Sequence, residues 1–170
     1  MILKKNLVIL GMMGSGKSTI GYLIAKKLNL IFDDVDNLIE IESGIKISQI
    51  FKAKGEDYFR NLEEKTTLKA LKIFNKVVSL GGGGFLSDKI RKEVLSNHFS
   101  FWLNWDESTL LKRIKNSKKR PLAFQATDQE IKQLIRKRAK LYSKAQFKIN
   151  CNKLSKTEII KKIIKIYELN

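Results

Sequence analysis

The segment Gly11-Met12-Met13-Gly14-Ser15-Gly16-Lys17-Ser18 constrains this chain more than any other. It fits G-x-x-x-x-G-K-[ST], the P-loop pattern, and Thr19 follows it. The apolar run Asn6-Leu7-Val8-Ile9-Leu10 before it reads as a buried strand. After it, Ile20, Leu23, Ile24 and Leu28 recur at helical spacing. A strand, a glycine-rich loop and a helix in that order give backbone N–H groups that cradle phosphate oxygens. The positive end of the helix faces the same charge. Lys17 reaches the β/γ-phosphates and Ser18 is placed to ligate Mg²⁺. These residues imply a bound nucleoside triphosphate, with the loop spanning residues 11–19.

The alternation of strand and helix along the rest of the chain predicts a parallel sheet covered on both faces. Ile31-Phe32-Asp33 reads as a second strand, Val77 to Leu80 as a third, Phe101 to Leu103 as a fourth and Phe147 to Ile149 as a fifth. Helices are expected over Asp36 to Ser43, around Ile47 to Phe51, over Glu56 to Phe74, and around Ile90 to Leu95 and Leu110 to Ile114. Thr127 with Glu130, and Ser155 with Glu158, are capping boxes that open two more. The expectation is one three-layer α/β domain over 1–170, a length that suits a single core. A lone cysteine, Cys151, excludes an internal disulfide and suits a reducing compartment, so the chain is expected in the cytoplasm. His98, the only histidine, and Cys151 are read as structural. No apolar run approaches a membrane span, and the N-terminus enters the first strand without room for a signal peptide.

The net charge is +17, from 34 Lys+Arg against 17 Asp+Glu. That invites a nucleic-acid partner. The lysines are scattered, however, and no aromatic-interleaved basic face accompanies them. A solvated, lysine-rich surface that also steers anionic substrates is the better reading.

Ligands of an open α/β sheet gather at the carboxyl ends of its strands. Three clusters lie there: the P-loop, Asp33-Asp34-Val35-Asp36, and Gly81-Gly82-Gly83-Gly84. The carboxylates can hold Mg²⁺ through water and accept a hydroxyl proton, or they can cap a helix. The glycine run suggests close approach of backbone to a ligand. Arg138 falls on the apolar face set by Ile131, Leu134, Ile135 and Tyr142, where a guanidinium must snorkel outward or meet an anion. Arg60 sits next to Phe59, with Glu63 three residues on as an orienting partner. Arg120 stands in a basic loop beside Pro121 and reads as a residue that closes over phosphates. Carboxylates to take hydroxyls and arginines to take one negative group suit a polyhydroxylated carboxylic acid as acceptor. A nucleoside monophosphate kinase would need more arginines converging on two phosphates.

The ordered motifs resemble those of shikimate kinases. Phe32-Asp33-Asp34-Val35-Asp36 with Ile39-Glu40 looks like F-x-D-x-D-x-x-I-E. Ile50-Phe51, Gly55-Glu56, Phe59-Arg60 and Glu63 look like I-F…G-E…F-R…E. Leu80-Gly81-Gly82-Gly83 stands where that family has T-G-G-G; Arg120-Pro121-Leu122 matches its lid, and Arg138 with Leu141-Tyr142 matches R-x-P-L-Y. The resemblance implies a P-loop NTPase with a parallel five-stranded sheet of order 2-3-1-4-5. It also implies a shikimate-binding helical segment at about 34–61 and a mobile lid at about 112–126. The implied activity is transfer of the ATP γ-phosphoryl group to the 3-hydroxyl of shikimate, in aromatic amino-acid biosynthesis. Asp36 would bind the ring hydroxyls and take the proton; Asp34 with Ser18 would hold Mg²⁺. Arg60, Arg138 and the Gly81–Gly83 backbone would hold the shikimate carboxylate. Gly14, Ser15, Gly16, Lys17, Ser18, Thr19 and Arg120 would hold the phosphates, with Lys17 and Arg120 stabilising charge in transfer. Arg113 would lie against the adenine, and Lys153 is a further candidate there. ATP and shikimate would be the partners, without nucleic acid or membrane, and self-contained motifs favour a monomer. Three departures stand out: Leu80 for Thr, Lys140 for Pro and Gln146 for an acidic residue.

Overall fold

The computed structural model describes residues 5–116 and 126–170. Five strands form one parallel sheet: β1 (Leu7–Leu10), β2 (Ile31–Asp34), β3 (Lys76–Ser79), β4 (Phe99–Asn104) and β5 (Phe147–Asn150), in the order β2-β3-β1-β4-β5. Every pairing is parallel, and β1 sits in the centre with Leu7, Val8, Ile9 and Leu10 all fully buried. A run of four apolar residues is what burial on both faces requires, since neighbouring side chains point to opposite layers. Val8 and Leu10 enter one core with Val78, Leu80 and Trp102. Leu7 and Ile9 enter the other with Val77, Phe101 and Leu103.

Seven helices are described. α1 (Lys17–Leu28) and α7 (Lys156–Glu168) cover the second core; α2 (Val35–Ser43), α3 (Ile47–Leu71), α4 (Asp88–Asn97), α5 (Glu107–Lys115) and α6 (Asp128–Tyr142) cover the first. Both expected capping boxes form, at Thr127 with Glu130 and at Ser155 with Glu158. Each such cap contributes about 1 kcal/mol. The third helical span is continuous in its hydrogen bonding but breaks at Gly55, which has φ 81° and ψ 177°. The sequence reading of two helices meeting near Gly55 therefore describes the chain's path well.

The helix ends at Leu71 rather than at Phe74. Asn6 explains this. Its Nδ2 donates to the carbonyls of Leu71 and Ile73, and its Oδ1 accepts from Lys76 N at 2.9 Å. Asn75 then turns the chain with φ 66° into β3. His98 and Cys151 are fully buried, as expected of structural residues. Burial pushes the Cys151 thiol up to about 12, which leaves it inert as a nucleophile.

Candidate active site

The P-loop leaves β1 at Gly11 and enters α1 through Gly16. Gly14 (φ 78°) and Gly16 (φ 89°) adopt the left-handed backbone that this turn needs. No side chain caps the N-terminus of α1. Side chains do cap α2, α4, α5, α6 and α7. The orphan N–H groups at that end are the ones that phosphate oxygens satisfy. Lys17, 7% exposed, donates from Nζ to the carbonyls of Gly11 (2.9 Å) and Met12 (3.1 Å). Its ammonium thus lies over the loop. Ser18 and Thr19 face solvent at the helix start.

The acidic cluster after β2 divides its duties. Asp33 pairs with Lys76 at 2.7 Å in a buried ion pair. Asp34 caps α2, its Oδ1 accepting from Asp36 N and Asn37 N. Asp36, in the first turn of α2, turns toward the glycine run.

The run after β3 shows why glycine is repeated there. A Cβ on Gly81 would collide with the carboxylates of Glu63 and Asp36. One on Gly83 would overlap the Arg60 guanidinium, whereas one on Gly82 would sit at ordinary contact distance, 3.5 Å, from both Arg138 Nη1 and Met13 N. Gly81 and Gly83 thus make room for different partners. The Met13 contact also joins this half of the site to the P-loop.

Around the run, Arg60 donates from Nη1 to Glu63 Oε2 at 2.7 Å and from Nη2 to Glu56 at 3.0 Å. Glu63 is buried, and its Oε1 has no hydrogen-bond partner among the described residues. Burial holds its carboxyl above the ordinary range, against the pull of Arg60. Arg138 is 7% exposed; Nη1 lies 3.8 Å from Met12 Sδ and Nε is unpartnered among the described residues. Tyr142 donates its hydroxyl to the Gly82 carbonyl, and burial pushes its pKa up to about 12. Two guanidiniums and two carboxylates therefore ring three glycines, one strand away from a phosphate loop.

A shikimate kinase family model matches residues 13–168. The shikimate kinase of Persephonella marina is 42% identical over 161 residues, covering 94% of this chain and 97% of the relative. That of Thermodesulfovibrio yellowstonii is 39% identical over 165 residues, covering 96% and 95%. The chain belongs to the shikimate kinase family. A solved shikimate kinase from Acinetobacter baumannii, in complex with shikimate, superposes with a TM-score of 0.91 at 28% identity, covering 98% and 94%.

As a member of the shikimate kinase family the chain keeps its fold despite the three departures. Leu80 is buried in the core beneath the glycine run. Lys140 is exposed, and α6 continues past it to Tyr142. Gln146 exchanges hydrogen bonds with Ser100, setting the start of β5 beside β4. Arg120, with Pro121 and Leu122, lies outside the described residues, as does most of the expected lid. Arg113 stands beside the P-loop, its Nη1 3.5 Å from the Gly14 carbonyl. Lys153 lies in the turn before α7, with φ 63°. Sequence reasoning missed Trp105. It lies directly after the end of β4, and the strand-end rule that found the other clusters would have found it.

Proposed function

We infer that the chain transfers the γ-phosphoryl group of ATP to the 3-hydroxyl of shikimate, yielding shikimate 3-phosphate and ADP. The observation that carries this reading is Arg138: a buried guanidinium whose Nε is unpartnered among the described residues, beside a glycine run that Arg60 also reaches. Leaving such a donor without an anion costs about 1–3 kcal/mol. A carboxylate from the acceptor would satisfy it, and arginine forks hold carboxylates through two parallel hydrogen bonds.

In this reading Arg60 and Arg138 take the shikimate carboxylate, Gly81–Gly83 supply close backbone, and Glu63 keeps Arg60 oriented. Asp36 then holds the ring hydroxyl that reacts. Its carboxylate accepts the hydroxyl proton as the oxygen bonds to Pγ and the bond from Pγ to the β,γ-bridging oxygen breaks. Gly14 to Thr19 hold the phosphates, Lys17 offsets the charge that develops on them, and Arg113 lies against the adenine. Donor and acceptor halves share one sheet, so we read residues 1–170 as one domain acting as a monomer. A reducing compartment suits the lone buried thiol of Cys151, and we read the enzyme as cytoplasmic.

Mg²⁺ is proposed at Ser18 and Asp34. Both present oxygen, the donor that Mg²⁺ prefers, and Asp34 spends only Oδ1 on its cap. No group of three or more acidic, histidine or cysteine side chains converges among the described residues. That suits a cation bound by few protein ligands together with substrate phosphates. When bound, it neutralises charge on the β- and γ-phosphates.

ATP turnover against shikimate, quinate, gluconate and nucleoside monophosphates tests the assignment. Stimulation by shikimate is expected; stimulation by a monophosphate and none by shikimate would refute it.

A further inference from the structure

Trp105 follows the last residue of β4 and precedes Asp106, the N-cap of α5. Its indole Nε1 donates to the Ser15 carbonyl at 3.0 Å, across 90 residues of sequence. The Arg113 guanidinium lies over its ring, 3.9 Å from the centroid. The Arg113 Cβ in turn stands 3.4 Å from where a Gly14 side chain would begin. The ring also packs against both hydrophobic cores, which fixes its plane.

We propose that Trp105 is a positioning residue of the nucleotide site: its N–H sets the phosphate loop and its ring face sets Arg113. The first half follows from peptide geometry. The Ser15 carbonyl belongs to the Ser15–Gly16 peptide, and no peptide among the described residues is cis. In a trans peptide the carbonyl and the N–H point in opposite directions. Pinning the carbonyl outward on Trp105 therefore turns the Gly16 N–H inward, where phosphate oxygens bind. Left-handed glycines on both sides of Ser15 make this peptide free to flip without such a pin. The second half follows from the stack. Arg113 is exposed, and a flexible guanidinium there would sample many rotamers. Cation–π contact with the indole holds it flat, so that its other face is offered to a purine. This second half rests on the reading of Arg113 as the adenine contact.

Binding of ATP and of tripolyphosphate separates the two roles, since only ATP carries a base. Trp105→Phe keeps a ring and loses the N–H; it is expected to weaken both ligands alike by about 3- to 10-fold, the worth of one hydrogen bond. Trp105→Leu removes the ring as well, and should weaken ATP a further 2- to 5-fold or so while tripolyphosphate follows the Phe variant. Arg113→Leu should weaken ATP alone. The KM for shikimate stays at the wild-type value in all three. If both Trp105 variants bind ATP as the wild type does while Arg113→Leu weakens it, the proposal is wrong and the adenine contact stands. Wild-type ATP binding by Arg113→Leu would instead remove the adenine reading itself. Equal losses for ATP and shikimate in the Phe variant would reduce Trp105 to packing and overturn the proposal.

Discussion

Glu63 and Asp36 bring their carboxylates to one glycine, Gly81, where a side chain would lie 2.7 Å from Asp36 Oδ1 and closer still to Glu63 Oε1. Asp36 comes from α2 and Glu63 from α3, so the convergence is tertiary. The two acids differ in surroundings. Glu63 is buried beside Arg60, whereas Asp36 keeps partial exposure.

Replacing Asp36 by Asn keeps shape and removes the carboxylate proposed to accept the proton. The kcat should fall by about 10²–10⁴-fold, the usual worth of a general base, with the fold intact. An unchanged kcat in steady-state assays would take Asp36 out of the chemistry.

Arg138→Leu should raise the KM for shikimate by about 10- to 100-fold, since a hydrogen bond to a charged group is worth about 1.5–3 kcal/mol. Thermal stability should hold or rise, because the substitution removes a buried charge whose Nε has no hydrogen-bond partner among the described residues. Calorimetry showing a large loss of Tm, with KM unaltered, would make Arg138 a structural residue only.

Gly83→Ala places a methyl group on the Arg60 guanidinium. The guanidinium is the far end of a flexible side chain, so the fold accommodates the change and Arg60 moves. The KM for shikimate is expected to rise about 10-fold or more while that for ATP stays level. Equal effects on both substrates would contradict the assignment of the glycine run to the acceptor.

The pH dependence of stability should carry the signature of Glu63. Its carboxyl ordinarily titrates near 4.5 and is raised in the fold, chiefly by burial. The folded state therefore binds the proton more tightly than the unfolded chain. Stability contributed by the protonated form is present near pH 4.5 and is lost as pH rises through the folded value. Glu63→Gln should flatten that decline. Parallel Tm-against-pH curves for the two proteins would show that Glu63 titrates normally.

Much of this was legible in sequence because it is local. The P-loop, the two capping boxes and the Gly55 break are each encoded within a few neighbouring residues. The glycine run was also visible, but not the pairing of Gly81 with Glu63 and Asp36, or of Gly83 with Arg60, since those partners arrive from other helices. The strand-end acids were visible as a group; only Lys76, 43 residues from Asp33, decides that Asp33 is spent on an ion pair. Asn6 ends α3 from 65 residues away, and Trp105 reaches Ser15 from 90. Contacts of that span depend on strand order, which periodicity alone does not give.

The phosphate loop follows β1 and the glycine run follows β3, two strands that pair Leu7 with Val77, Val8 with Val78 and Ile9 with Ser79. The ladder continues to the base of both loops, where Leu80 N donates to Ile9 O at 3.0 Å. The phosphate loop and the glycine run therefore start from adjacent strands, about 4.8 Å apart. A slip of β3 by one residue would turn each of its side chains to the opposite face and shift the glycine run against the phosphate loop. The β1–β3 register thus sets how the two loops stand to each other.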